Sequence, residues 1–201
     1  MNASVITVET DCSPLVLQEI TNDLQQYKQK PALTAPTKQH PNGKLDPEAR
    51  NCTTASLPTS KWYAGMLWHH LSRVNQQLFH YDITCFDKDL ITYISYTDQQ
   101  YYNWHIDVNP PTNNTYRRPQ ENTPVQHTNN YQRKLSFSFI LSNNYTGGEL
   151  QVKDISDNTT SYSPKQGQLL IFDSRLKHRV TPIESGRRDV LVGWAIGPQW
   201  R

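Results

Sequence analysis

The chain has 201 residues, 35% hydrophobic and 19% charged, with a net charge of +2. That length fits one domain around one sizeable core. The near-neutral balance gives no electrostatic case for nucleic acid or an anionic membrane as partner, and no apolar run approaches the roughly 18 residues of a membrane-spanning helix.

The opening stretch "MNASVITVETDCSP" lacks a basic region followed by a long apolar one, so no secretion signal is expected. Cys12, Cys52 and Cys85 are odd in number and show no CxxC spacing. They argue against a disulfide framework or a Cys-rich zinc site, and for reduced thiols in a cytoplasmic protein. Ser13 before Pro14 is a helix-start signal. Leu15, Leu17, Ile20 and Leu24 then recur near helical spacing, so a helix is expected to run to about Gln29. Residues 31–60 are polar and proline-bearing and read mostly as loop. A second helix is expected over 61–78, with Trp62, Met66, Leu67, Leu71, Val74 and Leu78 as its apolar stripe.

Beyond this the pattern turns to short β-strands, expected over 81–86, 90–96, 101–108, 135–142, 148–154, 159–163, 168–172, 178–183 and 188–196. Turn signals such as "NNYTGGE", "PKQGQ" and "ESGRR" separate them. Strands without intervening helices point to a mainly β fold, an antiparallel sandwich or barrel, with the N-terminal helices packed outside. The organisation read from this is a single domain: 1–80 as helical support, 81–201 as the β core. Residues 109–133 form a long polar loop, either a lid or an insertion without a role.

Two His-x-Asp patterns occur, His80-Tyr81-Asp82 and His105-Ile106-Asp107. In a strand, residues two apart share a face, so either could pair an imidazole with a carboxylate. Only the second has partners at useful distances. His178 enters a later strand, and His105, Asp107 and His178 would make a two-histidine, one-carboxylate set able to hold Fe(II) on one face. Arg188 follows His178 by ten positions. A buried dicarboxylate co-substrate such as 2-oxoglutarate needs a cation of this kind, and arginine can engage it with two bonds. Arg188, Val190, Val192 and Trp194 share a face by alternation. The turn "IESGR" is expected to return this strand antiparallel to that of His178. Ser136, Ser138 and Ile140 alternate with Phe137, Phe139 and Leu141; the serine side is expected to face the cofactor cavity and the phenylalanine side the helices. His69 and His70 read as a helix face and its neighbour, and Gly147-Gly148 as a turn.

Four segments in order carry a resemblance: "YTDQQYYNWHID", "RKLSFSFILSNNYTGGELQV", "PKQGQLLIFDSRLKHRVTPI" and "ESGRRDVLVGW". Together they resemble the 2-oxoglutarate/Fe(II)-dependent dioxygenases, in particular the prolyl 4-hydroxylase-like branch. The resemblance covers about half the chain. It implies a double-stranded β-helix (jelly roll) with Fe(II) at His105, Asp107 and His178, and Arg188 on the distal carboxylate of 2-oxoglutarate. It implies that Tyr96 hydrogen-bonds the co-substrate, that Ser138 faces it, and that Tyr102 lines the pocket. Trp194 is either a core residue or a wall of the substrate pocket. Many prolyl hydroxylases carry lysine where Arg188 stands, and the loop 109–133 exceeds a minimal family connection.

The implied function is hydroxylation of a peptidyl proline or another C–H substrate, peptide or small molecule, using O2 and 2-oxoglutarate and releasing succinate and CO2. Ascorbate could serve as reductant. Asp107 favours hydroxylation over halogenation, which needs that ligand position vacant. Nucleic-acid demethylases of the superfamily place a second arginine about six positions after the first; Trp194 stands there. Two further readings stay open: a zinc hydrolase using the same three ligands, which gives Arg188 no role, and a non-catalytic jelly-roll binding module.

Overall fold

The Ser13-Pro14 signal starts helix α1, Pro14–Leu24, and Ser13 Oγ accepts the Val16 N–H at 3.3 Å. In this computed structural model, residues 5–34, 43–108 and 131–200 are described. Helix α1 buries Leu17, Ile20 and Leu24, whereas Leu15 is 79% exposed and lies off the stripe. The helix stops short of Gln29 because the next residues, "QQYKQKP", supply little apolar surface to hold another turn and end on a proline. Helix α2, Trp62–Val74, buries Tyr63, Ala64, Leu67, Leu71 and Val74. Trp62 and Leu78, expected on its stripe, are exposed. After Val74 the helix widens into a π-turn, Asn75–Phe79, which ends at His80 in a left-handed conformation with φ 54°. The buried Asn75 side chain closes this end by bonding both the N–H and the carbonyl of Tyr81 at 2.9 Å.

The strands are β1 Ile6–Glu9, β2 Lys30–Pro31, β3 Arg50–Asn51, β4 Thr53–Pro58, β5 Cys85–Phe86, β6 Leu90–Tyr96, β7 Tyr101–His105 and β8 Tyr131–Ile140. They continue as β9 Tyr145–Gly147, β10 Leu150–Lys153, β11 Thr159–Tyr162, β12 Gln168–Asp173, β13 His178–Val180, β14 Ile183–Gly186 and β15 Arg188–Pro198. Among the described residues they form two main antiparallel sheets. The larger runs β1-β12-β8-β15-β6-β4-β2, with β5 also on β15; the smaller runs β11-β10-β13-β7-β3. A short β14-β9 pair stands apart from both.

Period-two alternation separates the faces of the larger sheet. Phe137, Phe139, Leu169, Ile171, Leu191 and Ala195 pack with Leu17, Ile20, Leu67 and Leu71 of the helices. The opposite side chains, among them Ser136, Ser138, Val190 and Val192, line a cavity toward the smaller sheet. Leu170 and Phe172 on this inner side meet Leu150 and Val152 of the smaller sheet. The jelly roll and the inward serines thus stand as expected, and the helices support one outer face.

The N-terminal part departs from the expected helical support. Strands β1, β2 and β4 extend the larger sheet, and β3 extends the smaller one. The "TTASLP" segment, read as loop, is β4, paired with β6 over six positions from Thr53↔Ser95 to Pro58↔Leu90. A proline and small polar residues are tolerated there because the partner strand supplies the ladder. Strand β15 does not return beside β13. It pairs with β6 and β8 in the opposite sheet, because "IESG" is itself strand β14, bonded to β9. The expected strand over 81–86 shortens to Cys85–Phe86. Of the expected loop 109–133, Tyr131 to Arg133 begin β8, and residues 109–130 lie outside the described residues.

Candidate active site

Strands β7 and β13 are neighbours in the smaller sheet, with His178 directly opposite His105. This register sets the two imidazoles 4.1 Å apart, centre to centre. Strand β7 ends at His105, so Asp107 is not on a strand face. It is set by the backbone beyond it: the N–H groups of Asp107 and Val108 both donate to Ser174 O, at 3.0 and 3.2 Å. The Asp107 carboxylate then lies 3.7 Å from His105 Nε2 and 3.4 Å from His178 Nε2. Ligand atoms of all three residues fall within 4.8 Å of one another, and no other such His/Cys/Asp/Glu group occurs among the described residues.

Each ligand is held from behind. His105 Nδ1 lies 2.8 Å from Asn103 O and His178 Nδ1 2.9 Å from Leu176 O. A carbonyl can only accept, so each Nδ1 carries a proton, which leaves Nε2 as the nitrogen that a neutral ring would turn to a metal at the centre of the group. Ser136 Oγ donates to Asp107 Oδ2 at 2.7 Å and lies 2.9 Å from Ser174 Oγ; the Trp194 indole also bonds this carboxylate. Supports of this kind orient metal ligands and tune them. Burial, then the neighbouring His178, push His105 down to about 4, against the pull of Asp107. The close His105–Asp107 approach is therefore a neutral imidazole beside a carboxylate rather than an ion pair. Burial alone would raise the Asp107 carboxyl, but His178, His105 and Arg133 bring it below the usual range.

The triad opens onto a cavity of about 260 Å³ between the sheets. Its lining includes Tyr96, Tyr102, Ser138, Arg188 and Trp194, all singled out from sequence, together with Arg50 and Arg133, which were not. Arg188 is 1% exposed, and its Nε has no hydrogen-bond partner. Its guanidinium carbon lies 5.5 Å from the centre of the buried Tyr96 ring. The adjacent Arg187 faces the other way and pairs with Asp189 at 3.0 Å. Tyr102 stacks on His105, with centroids 3.6 Å apart and planes 15° apart. Trp194 lies under Arg133, 3.7 Å from ring to guanidinium, and Arg133 in turn pairs with the buried Asp87 at 2.7 Å. Gly148, read only as a turn residue, has a second constraint: a Cβ on it would lie 2.9 Å from Arg188 Cδ, at a φ of 62°.

The other His-x-Asp pair shares none of this. His80 and Asp82 are exposed where the π-turn ends. Sequence reading missed Arg50, whose position is set by the unforeseen β3, and Ser174, which anchors Asp107 through its backbone. Neither has a local sequence signature.

A family model described as the 2OG-Fe(II) oxygenase superfamily matches residues 91–196, more than half of the chain. The chain belongs to the 2OG-Fe(II) oxygenase superfamily. Curated relatives of this oxygenase include a PKHD-type hydroxylase from Synechococcus sp. (strain CC9605), 34% identical over 95 residues, which are 46% of this chain and 35% of that protein. Another, from Hyphomonas neptunium, is 44% identical over 62 residues, 30% of this chain and 27% of that one. The chain thus spans about a third of the length of the curated relatives it matches. Among solved structures, a prolyl-4-hydroxylase from Pseudomonas putida superposes with a TM-score of 0.65 at 15% identity, covering 99% of this chain and 94% of that one. A prolyl hydroxylase from Trichoplax adhaerens, in complex with a hypoxia inducible factor peptide fragment, gives 0.67 at 18%, covering 96% and 83%. At such identities these two establish the jelly-roll fold.

Fe(II) and 2-oxoglutarate are the cofactors that this family implies, and the residues present suit both. Two imidazole nitrogens and a carboxylate converge at ligand distance, and a buried, under-bonded guanidinium stands where a carboxylate could reach it.

Proposed function

We propose that this oxygenase is an Fe(II)- and 2-oxoglutarate-dependent hydroxylase of prolyl 4-hydroxylase type, acting on a peptidyl proline or another C–H substrate. The observation that carries this reading is one cavity bordered by both the His105/Asp107/His178 group and the unpartnered Arg188 Nε. A zinc hydrolase would use the three ligands and leave a buried arginine without purpose.

In this reading His105 Nε2, His178 Nε2 and an Asp107 oxygen hold the iron. The bound group would supply oxygen activation, with 2-oxoglutarate consumed to succinate and CO2 and one oxygen delivered to the substrate. Arg188 binds the distal carboxylate of 2-oxoglutarate, and burial makes that pairing stronger than it would be in water. Burial holds the Tyr96 phenol far above its ordinary value, so it stays protonated and can donate to the co-substrate. Ser138 lines the wall on the same side. Tyr102 keeps the His105 ring flat against it, and Trp194 orients Asp107 while forming part of the substrate wall. Val190, Val192 and Ile94, neighbours on the inner face of the larger sheet, give the co-substrate an apolar wall on that side.

Among the described residues no helix is long and apolar enough to cross a membrane. A cytoplasmic location is part of the proposal, supported by Cys12 and Cys52 as free thiols. The test is anaerobic addition of Fe(II) and 2-oxoglutarate. A weak visible metal-to-ligand band, absent from Asp107→Ala, is expected; once O2 is admitted, succinate formation that ignores added iron would overturn the reading.

A further inference from the structure

Among the described residues, four cationic side chains border the cavity, Arg50, Lys88, Arg133 and Arg188, against one carboxylate, Asp107. Arg133 is already matched by Asp87, and Lys88 stands exposed to water at the rim. Under the proposed function, on which this inference rests, an Fe(II) dication, a 2-oxoglutarate dianion, Asp107 and Arg188 sum to neutrality. Among the described residues one cation is left over, Arg50.

Arg50 is half-buried on β3, its backbone paired with that of Tyr102 on β7. Its Nε lies 3.4 Å from Cys52 Sγ, a weak acceptor, and its guanidinium stands 4.6 Å from the centre of the Tyr102 ring. The groups that act on it are Cys52, Tyr96 and Tyr102; no carboxylate among the described residues pairs with it. A half-buried guanidinium with no carboxylate beside it among the described residues is costly. A planar fork of donors fits a carboxylate through two bonds. The Tyr102 ring contacts both Arg50 and His105, so an anion on Arg50 would sit close to a proposed iron ligand. Leu33, Ile106 and Trp194 in the same cavity lining supply apolar surface for the C–H part of a substrate.

We infer that Arg50 binds a carboxylate of the substrate, so that the oxygenase selects substrates with an acidic group close to the C–H bond it presents. Two sources share that chemistry: the free α-carboxylate of an amino or imino acid, and an acidic side chain next to the target residue in a peptide.

The test uses the whole protein with Mn(II), which is redox-silent, and 2-oxoglutarate, without oxygen turnover. Binding is measured by calorimetry for two matched pairs: N-acetyl-L-proline against N-acetyl-L-prolinamide, and acetyl-Pro-Glu-amide against acetyl-Pro-Gln-amide. In at least one pair the acid is expected to bind tenfold or more tightly than its amide. The pair that discriminates names the source. Arg50→Gln is expected to erase the difference while 2-oxoglutarate still binds within threefold, which also shows that the variant is folded. Arg50→Lys keeps the charge and is expected to retain part of the preference.

Absence of any acid preference in the wild-type protein overturns the inference, as does a preference that survives in Arg50→Gln. Tenfold weaker 2-oxoglutarate binding in Arg50→Gln also overturns it, assigning Arg50 to the co-substrate. Failure of the wild-type protein to take up Mn(II) or 2-oxoglutarate overturns the dioxygenase reading itself, and the inference with it; the first titration of the series separates that outcome from the others.

Discussion

The two His-x-Asp stretches, 80–82 and 105–107, share a pattern and differ in every surrounding that matters for chemistry. At the first, the histidine ends a π-turn in a left-handed conformation and both polar side chains face water. At the second, the histidine is the last residue of β7, facing His178 across a strand pair, and the aspartate is buried on Ser136, Ser174 and Trp194. A pair of ligand types becomes a site only when other elements converge on it and their donors and acceptors are used up behind it.

Four measurements would break or sharpen that contrast. Asp107→Ala is expected to abolish the Fe(II)/2-oxoglutarate band and lower succinate formation by more than about 100-fold, beyond the range usual for residues that merely support ligands. Arg188→Gln should leave metal binding intact and weaken 2-oxoglutarate binding by about 2–5 kcal/mol, the scale of a truncated buried charge pair; a titration of the band reads it. Ser136→Ala removes the 2.7 Å bond to Asp107 and should weaken metal affinity about 10- to 100-fold with little loss of fold. At the other stretch, Asp82→Ala should change stability by less than about 0.5 kcal/mol and leave metal affinity unaltered, as for exposed positions without special partners. Equal effects at Asp82 and Asp107 would sink the distinction.

The parts of the fold visible in the sequence are those with strong periodicity. The alternation over Leu135–Leu141 and over Arg188–Trp194 predicted which side chains face inward, and the structure places them so. Ser13-Pro14 marked a helix start that the structure keeps. What stayed hidden depends on partners distant in the chain. Strand β4 carries polar and proline residues, and β1 has only four residues; both are strands because a neighbour completes their ladders. The destination of β15 was misread because a turn sequence does not say which sheet receives the next strand. The candidate ligands were legible because spacing and residue type suffice to nominate them. Arg50 was not, since its relevance comes wholly from β3 pairing beside Tyr102.

The way Asp107 is anchored has a mechanical consequence. His105 and His178 belong to the smaller sheet, whereas the groups that grip Asp107 are Ser136 on β8, Trp194 on β15 and Ser174 just past β12, all attached to the larger one. An ion held by all three ligands would therefore rivet one sheet to the other at the open end of the sandwich. Such an ion would act as a cross-link as well as a reagent, so its binding would add to the stability of the fold where the two sheets meet.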